Sequence, residues 1–276
     1  MKLPQNISQH VKLALEEDIG QGDVTADLIP KENQSKARVI CREKATIAGT
    51  AWFNEVFSQI DKSVLIEWNY QDGDSVDANQ QLCTLSGNAR SILSGERAAL
   101  NFLQTLSATA TATKTFINAI KGTKARILDT RKTIPNLRDA QKYAVLCGGG
   151  KNHRIGLYDM VLIKENHILA VGSITEAVKQ AKVLYPNIKI EVEAETLEEF
   201  REASNAGANI VMLDNFELDL MRQAVKENNG KVILEASGGV NLDTVRFIAE
   251  TGVDFISVGQ ITKDINAVDL SMRFSS

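Results

Sequence analysis

Polar residues follow each of six short apolar runs in the chain from about residue 123 onward. The runs are ARIL (125–128), MVLI (160–163), IKIEV (188–192), IVML (210–213), KVIL (231–234) and FISV (255–258). The residues that follow them are, in the same order, Asp129–Thr133, Lys164, Glu193, Asp214, Glu235–Gly239 and Gly259-Gln260. If the runs are parallel strands, their carboxyl ends meet at one mouth. We therefore predict one site that contains all of these groups.

Cations dominate the middle of the chain. Residues 124–166 contain nine lysines and arginines against four acids, although the whole chain has a net charge of −4. Arginine pairs with planar carboxylates in bidentate geometry, which favours a polycarboxylate as the bound anion. Gly148-Gly149-Gly150 precede three potential cations, Lys151, His153 and Arg154, and predict a backbone folded around an anion. A flexible, solvated loop is the alternative, and zinc ligation by His153 is disfavoured because no matching His/Cys spacing exists.

Two glycine-containing loops follow the last two runs. Ser237-Gly238-Gly239 precede a helix predicted to begin near Asn241, and Gly259-Gln260 follow FISV. Glycines permit close backbone approach, and free amides at a helix start favour an anion. Loops at these positions of an α/β barrel commonly bind phosphate. The two loops together favour a phosphate site, although each alone could be a simple turn.

Two carboxylates, Glu193 and Asp214, follow neighbouring runs. They could hold ribose hydroxyls, bind Mg²⁺ or stabilise positive charge that develops on a sugar carbon. With the cations and the glycine loops, they suit transfer of a phosphosugar to an acidic acceptor. We interpret Cys147 as a core residue and His167 as a structural histidine. The chain has no GxSxG, Walker A or HExxH motif.

Alternating apolar runs and amphipathic stretches predict an α/β fold with parallel strands. An open doubly wound sheet and a barrel both fit, and the polar strand ends favour a barrel. It should be irregular, because six strands are readable rather than eight. Ser173-x-x-Glu176 and Thr196-x-x-Glu199 are predicted capping boxes, and Gly207 is a predicted helix stop.

The first part of the chain reads as a small α+β region. Residues 35–50 are predicted to be strand, and residues 64–87 are predicted to form a hairpin with its turn at Asp72-Gly73. A long helix over 96–121 joins this region to the barrel.

Composition excludes several classes of protein. The 276 residues are 43% hydrophobic and 24% charged, which is typical of a globular enzyme and, with the negative net charge, disfavours nucleic-acid binding. Neither an apolar signal segment nor a run near the length of a membrane span occurs. The three separated cysteines fit a reducing compartment, so we expect a cytoplasmic protein without a membrane partner.

Nine stretches, in order along nearly the whole chain, carry a resemblance to a known family. They are EEDIGQGDVT (16–25), DGDSV (72–76), ERAALNFLQTLS (96–107), ILDTRKTIPNLR (127–138), QKYAVLCGGGKNHRIGLYDMVLIKENHI (141–168), IEVEAETLEE (190–199), VMLDN (211–215), LEASGGV (234–240) and ISVGQIT (256–262). They resemble the quinolinate phosphoribosyltransferase family, and the GGGKNHR and DTRKT blocks within them are the most specific. The departures are mild and remove no charged group: Ala98, Ile134, Asn136 and Gln260 differ from residues common in the family.

The resemblance implies an α/β fold of the type II phosphoribosyltransferase kind, with an N-terminal α+β sandwich domain over 1–106 and an irregular open α/β barrel over 107–263. Whether residues 264–276 complete the first domain is left open. It also implies that 5-phosphoribosyl-1-diphosphate and quinolinate give nicotinate mononucleotide, diphosphate and CO₂ in NAD biosynthesis. A homodimer and Mg²⁺ on the diphosphate substrate are expected.

Residue roles carry over from the matching motifs. Arg131, His153, Arg154 and Lys164 are implied to face the quinolinate carboxylates, and Arg97 to reach the partner subunit's site. Glu193 and Asp214 are implied to hold the ribose, with or without Mg²⁺. The residues implied in catalysis are Lys132, Lys164, Glu193 and Asp214. The remaining substrate-binding residues are Thr130, Ser237, Gly238, Gly239, Val258, Gly259 and Gln260.

Two other functional hypotheses compete with the function that the resemblance implies. A related phosphoribosyltransferase with another acceptor, such as a protein associated with molybdenum transport, is disfavoured by the intact GGGKNHR and DTRKT blocks. A catalytically silent phosphate-ligand binder on the same barrel is disfavoured because both Glu193 and Asp214 are present.

Overall fold

A computed structural model describes residues 1–274, and its packing separates into two units. Unit 1 comprises Met1–Lys114, Thr133–Gly149 and the described residues from Ile261 onward. Unit 2 comprises Thr115–Lys132 and Gly150–Gln260. The domain boundary between residues 106 and 107 stays a prediction. Within the segment 264–276, residues 275 and 276 lie outside the described part.

Unit 1 contains an antiparallel sheet and several helices. The sheet has the order β12-β1-β5-β3, and a separate short pair joins β2 to β4. The strands are β1 (Gln34–Cys41), β2 (Ala45–Thr46), β3 (Leu65–Trp68), β4 (Ser75–Val76), β5 (Gln80–Asn88) and β12 (Leu270–Phe274). The helices are α1 (Ile7–Ile19), α2 (Thr50–Ile60), α3 (Ala89–Ala119), α4 (Arg138–Cys147) and α10 (Gln260–Lys263), of which α3 and α10 cross the unit boundaries.

The core of unit 1 is built on aromatic residues of α2. Trp52 and Phe53 are fully buried, and Phe57 is nearly so. Full burial of one such side chain stabilises the fold by about 1.5–3 kcal/mol. Cys147 is buried in this core, as predicted, and burial raises the pKa of its thiol to about 12.

The antiparallel pairing predicted over 64–87 forms between β3 and β5, but the Asp72-Gly73 turn does not join the paired strands directly. The strand that follows this turn, β4, pairs with β2 instead. The Asp72-Gly73 turn itself forms, and Gly73 N donates to the Ile47 carbonyl. Because Val76 is buried in the core that also contains Ala45, tertiary packing rather than the turn chooses the partner strand.

Unit 2 contains six parallel strands in the order β6-β11-β10-β9-β8-β7. They are β6 (Arg126–Leu128), β7 (Val161–Ile163), β8 (Ile190–Ala194), β9 (Ile210–Asp214), β10 (Ile233–Ser237) and β11 (Phe255–Ser257). The helices between them are α5 (Glu165–Val171), α6 (Ile174–Leu184), α7 (Leu197–Ala206), α8 (Leu218–Asn228) and α9 (Val245–Glu250). The predicted α/β class and parallel sheet are confirmed. Within the described residues β6 and β7 do not pair with each other, which leaves an open barrel.

Strand bounds differ from prediction at the residues that carry polar groups. Glu193 lies within β8, and Glu235 and Ser237 lie within β10 rather than after it. Side chains alternate between the two faces of a strand, so apolar residues such as Val192 and Ala236 can be buried on one face. The polar residues between them then occupy the other face. A polar residue on this other face interrupts the apolar run. In the sequence it therefore resembles a residue that follows the strand, although it lies within the strand.

Helix boundaries largely follow the sequence signals. Thr196 and Glu199 form the predicted capping box, while Ser173 accepts from Glu176 N without the reciprocal bond. Gly207 ends α7 with φ +80°. No helix within residues 1–274 is long and apolar enough to cross a membrane.

Candidate functional site

A cavity of about 410 Å³ in unit 2 collects ten of the predicted site residues. They are Thr130, Arg131, Lys132, His153, Arg154, Lys164, Glu193, Asp214, Ser237 and Gly238. Leu162, Met212, Asn215 and Ser257 complete the lining. The expectation that strand ends converge at one mouth is thus confirmed for these residues, while their chemical roles stay predictions.

Five predicted residues are not among those that line this cavity. Gly239, Val258, Gly259 and Gln260 belong to unit 2, and Arg97 is exposed on α3 in unit 1. Gly259 nevertheless packs close to the site, because a Cβ added there would lie 3.2 Å from Lys132 Cδ. The Val258 side chain is fully buried, so only its backbone could serve a ligand.

Two arginines make one part of the cavity strongly cationic. Burial lowers the pKa of Arg154, and the neighbouring Arg131 charge lowers it further. Arg154 Nη1 donates to the Met160 carbonyl at 3.3 Å. Arginine stays protonated despite such shifts. Two like charges held together attract an anion that neutralises both.

A buried aspartate positions the histidine of the NHR motif. Asp129 is fully buried, and its Oδ1 accepts a hydrogen bond from His153 N at 2.9 Å. Lys151 N donates to the Ile127 carbonyl at 2.9 Å, which extends the sheet beside β6. Gly148–Gly150 are not among the residues that line the cavity, and the expectation that they surround an anion stays a prediction.

An ion pair joins two predicted catalytic residues. Lys164 Nζ contacts Glu193 Oε2, and the Glu193 side chain is 14% exposed. Asp214, in the last position of β9, accepts a hydrogen bond from Asn215 Nδ2 at 2.9 Å. His167 Nδ1 accepts from Lys164 N at 3.0 Å at the start of α5, which is the structural role predicted for it.

Two buried carboxyls lie next to the cavity: Glu235, which is one of the predicted strand-end groups, and Glu191, which the strand-end pattern does not include. Glu191 and Glu235 are fully buried, and their Oε2 atoms lie 2.9 Å and 3.5 Å from His153 Nε2. Ser257 Oγ donates to Glu235 Oε1. Burial raises the pKa of Glu191 to about 7; burial and then the charge of Glu191 raise that of Glu235 to about 8. The period-2 alternation that places Glu191 on the same face as Glu193 could have revealed it.

The raised pKa of Glu235 predicts a pH-dependent stability. The unfolded carboxyl releases its proton near pH 4.5, whereas the folded one keeps it to about pH 8. Protonated Glu235 therefore contributes stability that is fully present below pH 4.5 and is lost as pH rises towards 8. We expect Glu235→Gln to become progressively more stable relative to wild type over this range, measured as Tm by calorimetry. A Tm difference independent of pH would contradict this expectation.

The glycine loop after β10 lies next to Asp214. Ser237 is in register with Asp214, and Asn215 N donates to the Ser237 carbonyl at 2.9 Å. Gly238 has φ +92° and approaches Asn215 closely. The predicted helix near Asn241 begins only at Val245, since Asn241 Oδ1 caps a turn by accepting from Asp243 N and Thr244 N. The loop backbone, rather than a helix N-terminus, is thus the candidate phosphate contact.

Two models of known protein families match successive parts of the chain. Residues 23–107 match the model of the quinolinate phosphoribosyl transferase N-terminal domain, and residues 109–273 match that of the C-terminal domain.

Similar proteins and structures cover nearly the whole chain. A Bacillus subtilis protein named probable nicotinate-nucleotide pyrophosphorylase [carboxylating] is 42% identical, over 93% of this chain and 89% of its own. A mitochondrial quinolinate phosphoribosyltransferase [decarboxylating] of Nicotiana tabacum is 41% identical, over 98% and 83%. The nicotinate-nucleotide pyrophosphorylase structure from Francisella tularensis superimposes with a TM-score of 0.97 at 49% identity, covering 99% of this chain and 98% of that one.

Proposed function

The chain belongs to the quinolinate phosphoribosyltransferase family, and from this premise we propose how its cavity performs that family's reaction. The enzyme transfers the phosphoribosyl group of 5-phosphoribosyl-1-diphosphate to quinolinate. Nicotinate mononucleotide, diphosphate and CO₂ are the products, in the biosynthesis of NAD. The observation that carries the residue assignments is the single cavity in which two arginines, two carboxylates and a glycine loop meet.

The acceptor binds at the cationic part of the cavity. Arg131, His153 and Arg154 bind the two carboxylates of quinolinate and offset the cost of bringing two anionic substrates together. Lys132 lies between the acceptor and the diphosphate, and Thr130 Oγ1 positions it by accepting from Lys132 N at 3.1 Å. These contacts orient the pyridine nitrogen towards the ribose carbon.

The sugar is bound by the strand-end carboxylates. Glu193 and Asp214 hold the ribose hydroxyls and oppose the positive charge that develops as diphosphate leaves. Lys164 contacts Glu193 and also lines the cavity. It therefore links the sugar site to the acceptor site. Ribosylation makes the pyridine nitrogen cationic. When the bond from C2 to the 2-carboxylate breaks and CO₂ leaves, the electron pair stays on C2, stabilised by the neighbouring cationic nitrogen, and a proton from water then replaces the carboxylate. The backbone of Ser237-Gly238-Gly239 and of Val258-Gly259-Gln260 holds the 5-phosphate.

The donor set fits Mg²⁺ that arrives with the diphosphate. Magnesium takes one or two protein carboxylates and otherwise phosphate and water oxygens. Glu193 and Asp214 supply two carboxylates on the cavity wall. When bound, the ion neutralises charge on the departing diphosphate.

A direct assay tests this function. Purified protein, Mg²⁺, quinolinate and 5-phosphoribosyl-1-diphosphate should yield equal amounts of nicotinate mononucleotide and CO₂. Nicotinate, supplied in a parallel reaction, should be the poorer acceptor because it lacks the 2-carboxylate. Preference for nicotinate would overturn the assignment, and ligand binding without release of diphosphate would favour a catalytically silent binder.

The homodimer with Arg97 donated across the interface is also a proposal. It predicts complementation, because a mixed dimer of Arg97→Ala and Arg131→Ala subunits contains one intact site and one doubly altered site. Random pairing of equal amounts should restore about one quarter of wild-type activity. Turnover of the refolded mixture, compared with each parent alone, measures this.

The matched control mixes Arg131→Ala with His153→Ala subunits. Both changes affect the subunit's own site, so no mixed dimer contains an intact site and the mixture should stay inactive. Equal recovery in the two mixtures, or recovery in neither, would contradict donation of Arg97 by the partner. A cytoplasmic location is proposed as well, and the three free, buried cysteines support a reducing compartment.

A further inference from the structure

Two buried acids in unit 2 have no role in the steps above. Glu191 on β8 and Glu235 on β10 are both fully buried, and β9 lies between their strands in the sheet. Burying carboxyl groups costs several kcal/mol unless compensating contacts are made. Packing alone would be better served by apolar side chains, so the pair needs another explanation.

Both carboxyls meet at one nitrogen of one ring. His153 Nε2 lies 2.9 Å from Glu191 Oε2 and 3.5 Å from Glu235 Oε2. The His153 side chain is only 8% exposed, yet it lines the cavity. Ser257 Oγ fixes the other oxygen of Glu235, so the pair is itself held in place.

We propose that Glu191 and Glu235 are positioning residues that hold the His153 ring at the acceptor end of the cavity and thereby set the affinity for a dicarboxylate acceptor. The proposal rests on the assignment of His153 to the acceptor in the proposed function. The carboxyls touch neither substrate. They act by holding the ring edge that carries Nε2 against the two buried acids. The ring therefore loses rotational freedom before the acceptor binds.

A divalent metal is the competing occupant of this cluster. The ligand atoms of His153, Glu191 and Glu235 lie within 4.8 Å of one another, a spacing that a metal ion could bridge. The contact at 2.9 Å between the nitrogen and a carboxylate oxygen is that of a direct ion pair, which a bound metal ion would replace. Metal content therefore becomes one outcome of the test.

The test is a double-mutant cycle on the full-length enzyme. Glu191→Gln should raise the KM for quinolinate about 10- to 100-fold, the cost of a lost charge-assisted contact, while the KM for 5-phosphoribosyl-1-diphosphate stays unchanged. In a His153→Asn background the same change should have no further effect, because its target is gone. Glu195→Gln, an exposed acid just beyond the same strand, should leave both constants unchanged.

Three results would overturn the inference: an equal rise of both KM values, an undiminished effect in the His153→Asn background, or a stoichiometric divalent metal retained by wild type after chelation and lost in Glu191→Gln. If Glu191→Gln does not fold, Ser257→Ala removes only the hydroxyl on Glu235 and should show the same selective rise in smaller measure; no selective rise there overturns the inference too. A wild-type enzyme that makes no nicotinate mononucleotide would instead refute the proposed function.

Discussion

Replacing Arg131 by alanine should lower turnover about 30- to 1,000-fold while the protein remains folded. The range corresponds to about 2–4 kcal/mol of lost transition-state stabilisation, typical of one preorganised charged or hydrogen-bonding group. Arg131 lines the cavity, and its charge acts directly on Arg154. Its removal leaves the acceptor carboxylates with fewer cations, so kcat/KM for quinolinate should fall most.

The measurement is steady-state kinetics with both substrates, alongside thermal unfolding. Arg222→Ala is the matched control, because Arg222 is an exposed arginine on α8 that pairs only with Asp219 among the described ion pairs. It should leave turnover unchanged. Near-normal turnover in Arg131→Ala would remove Arg131 from the acceptor site.

Gly238→Ala should abolish most of the activity by distorting the loop that we propose binds the 5-phosphate. An added Cβ would lie 2.1 Å from Asn215 Oδ1 and 2.9 Å from Asn215 N, and φ +92° is strained for alanine. Asn215 or the loop must therefore move, next to Asp214. We expect a loss of about tenfold or more in kcat/KM for 5-phosphoribosyl-1-diphosphate, from a strain of the order of 1–3 kcal/mol.

The adjacent glycine separates crowding from backbone strain. A Cβ on Gly239 would have no heavy atom within 4 Å, although its φ is also positive, at +61°. Gly239→Ala should therefore lose much less activity than Gly238→Ala. Similar losses in the two variants would show that backbone conformation, and not the contact with Asn215, limits the loop.

The sequence identified the six barrel strands and most cavity residues because both are local signals. Apolar runs followed by polar groups mark parallel strands whose carboxyl ends must converge, and this places Lys164 and Asp214 correctly. Helix starts such as Thr196-Glu199 are equally local, because a capping box involves only one turn of backbone. The motifs then identified the family.

Only the tertiary structure decided which groups meet. β4, which follows the Asp72-Gly73 turn, took β2 as its partner, and the buried Val76 and Ala45 of these two strands belong to one core. In the sequence, nothing distinguishes Glu191 and Glu235 from other acids in or after strands. Their contact with His153 arises from the sheet register and from the bridge of Lys151 to Leu128, which brings the chain just before His153 alongside β6. Spacing along the chain cannot show such contacts, since the free energy that creates them comes from burial shared among separated strands.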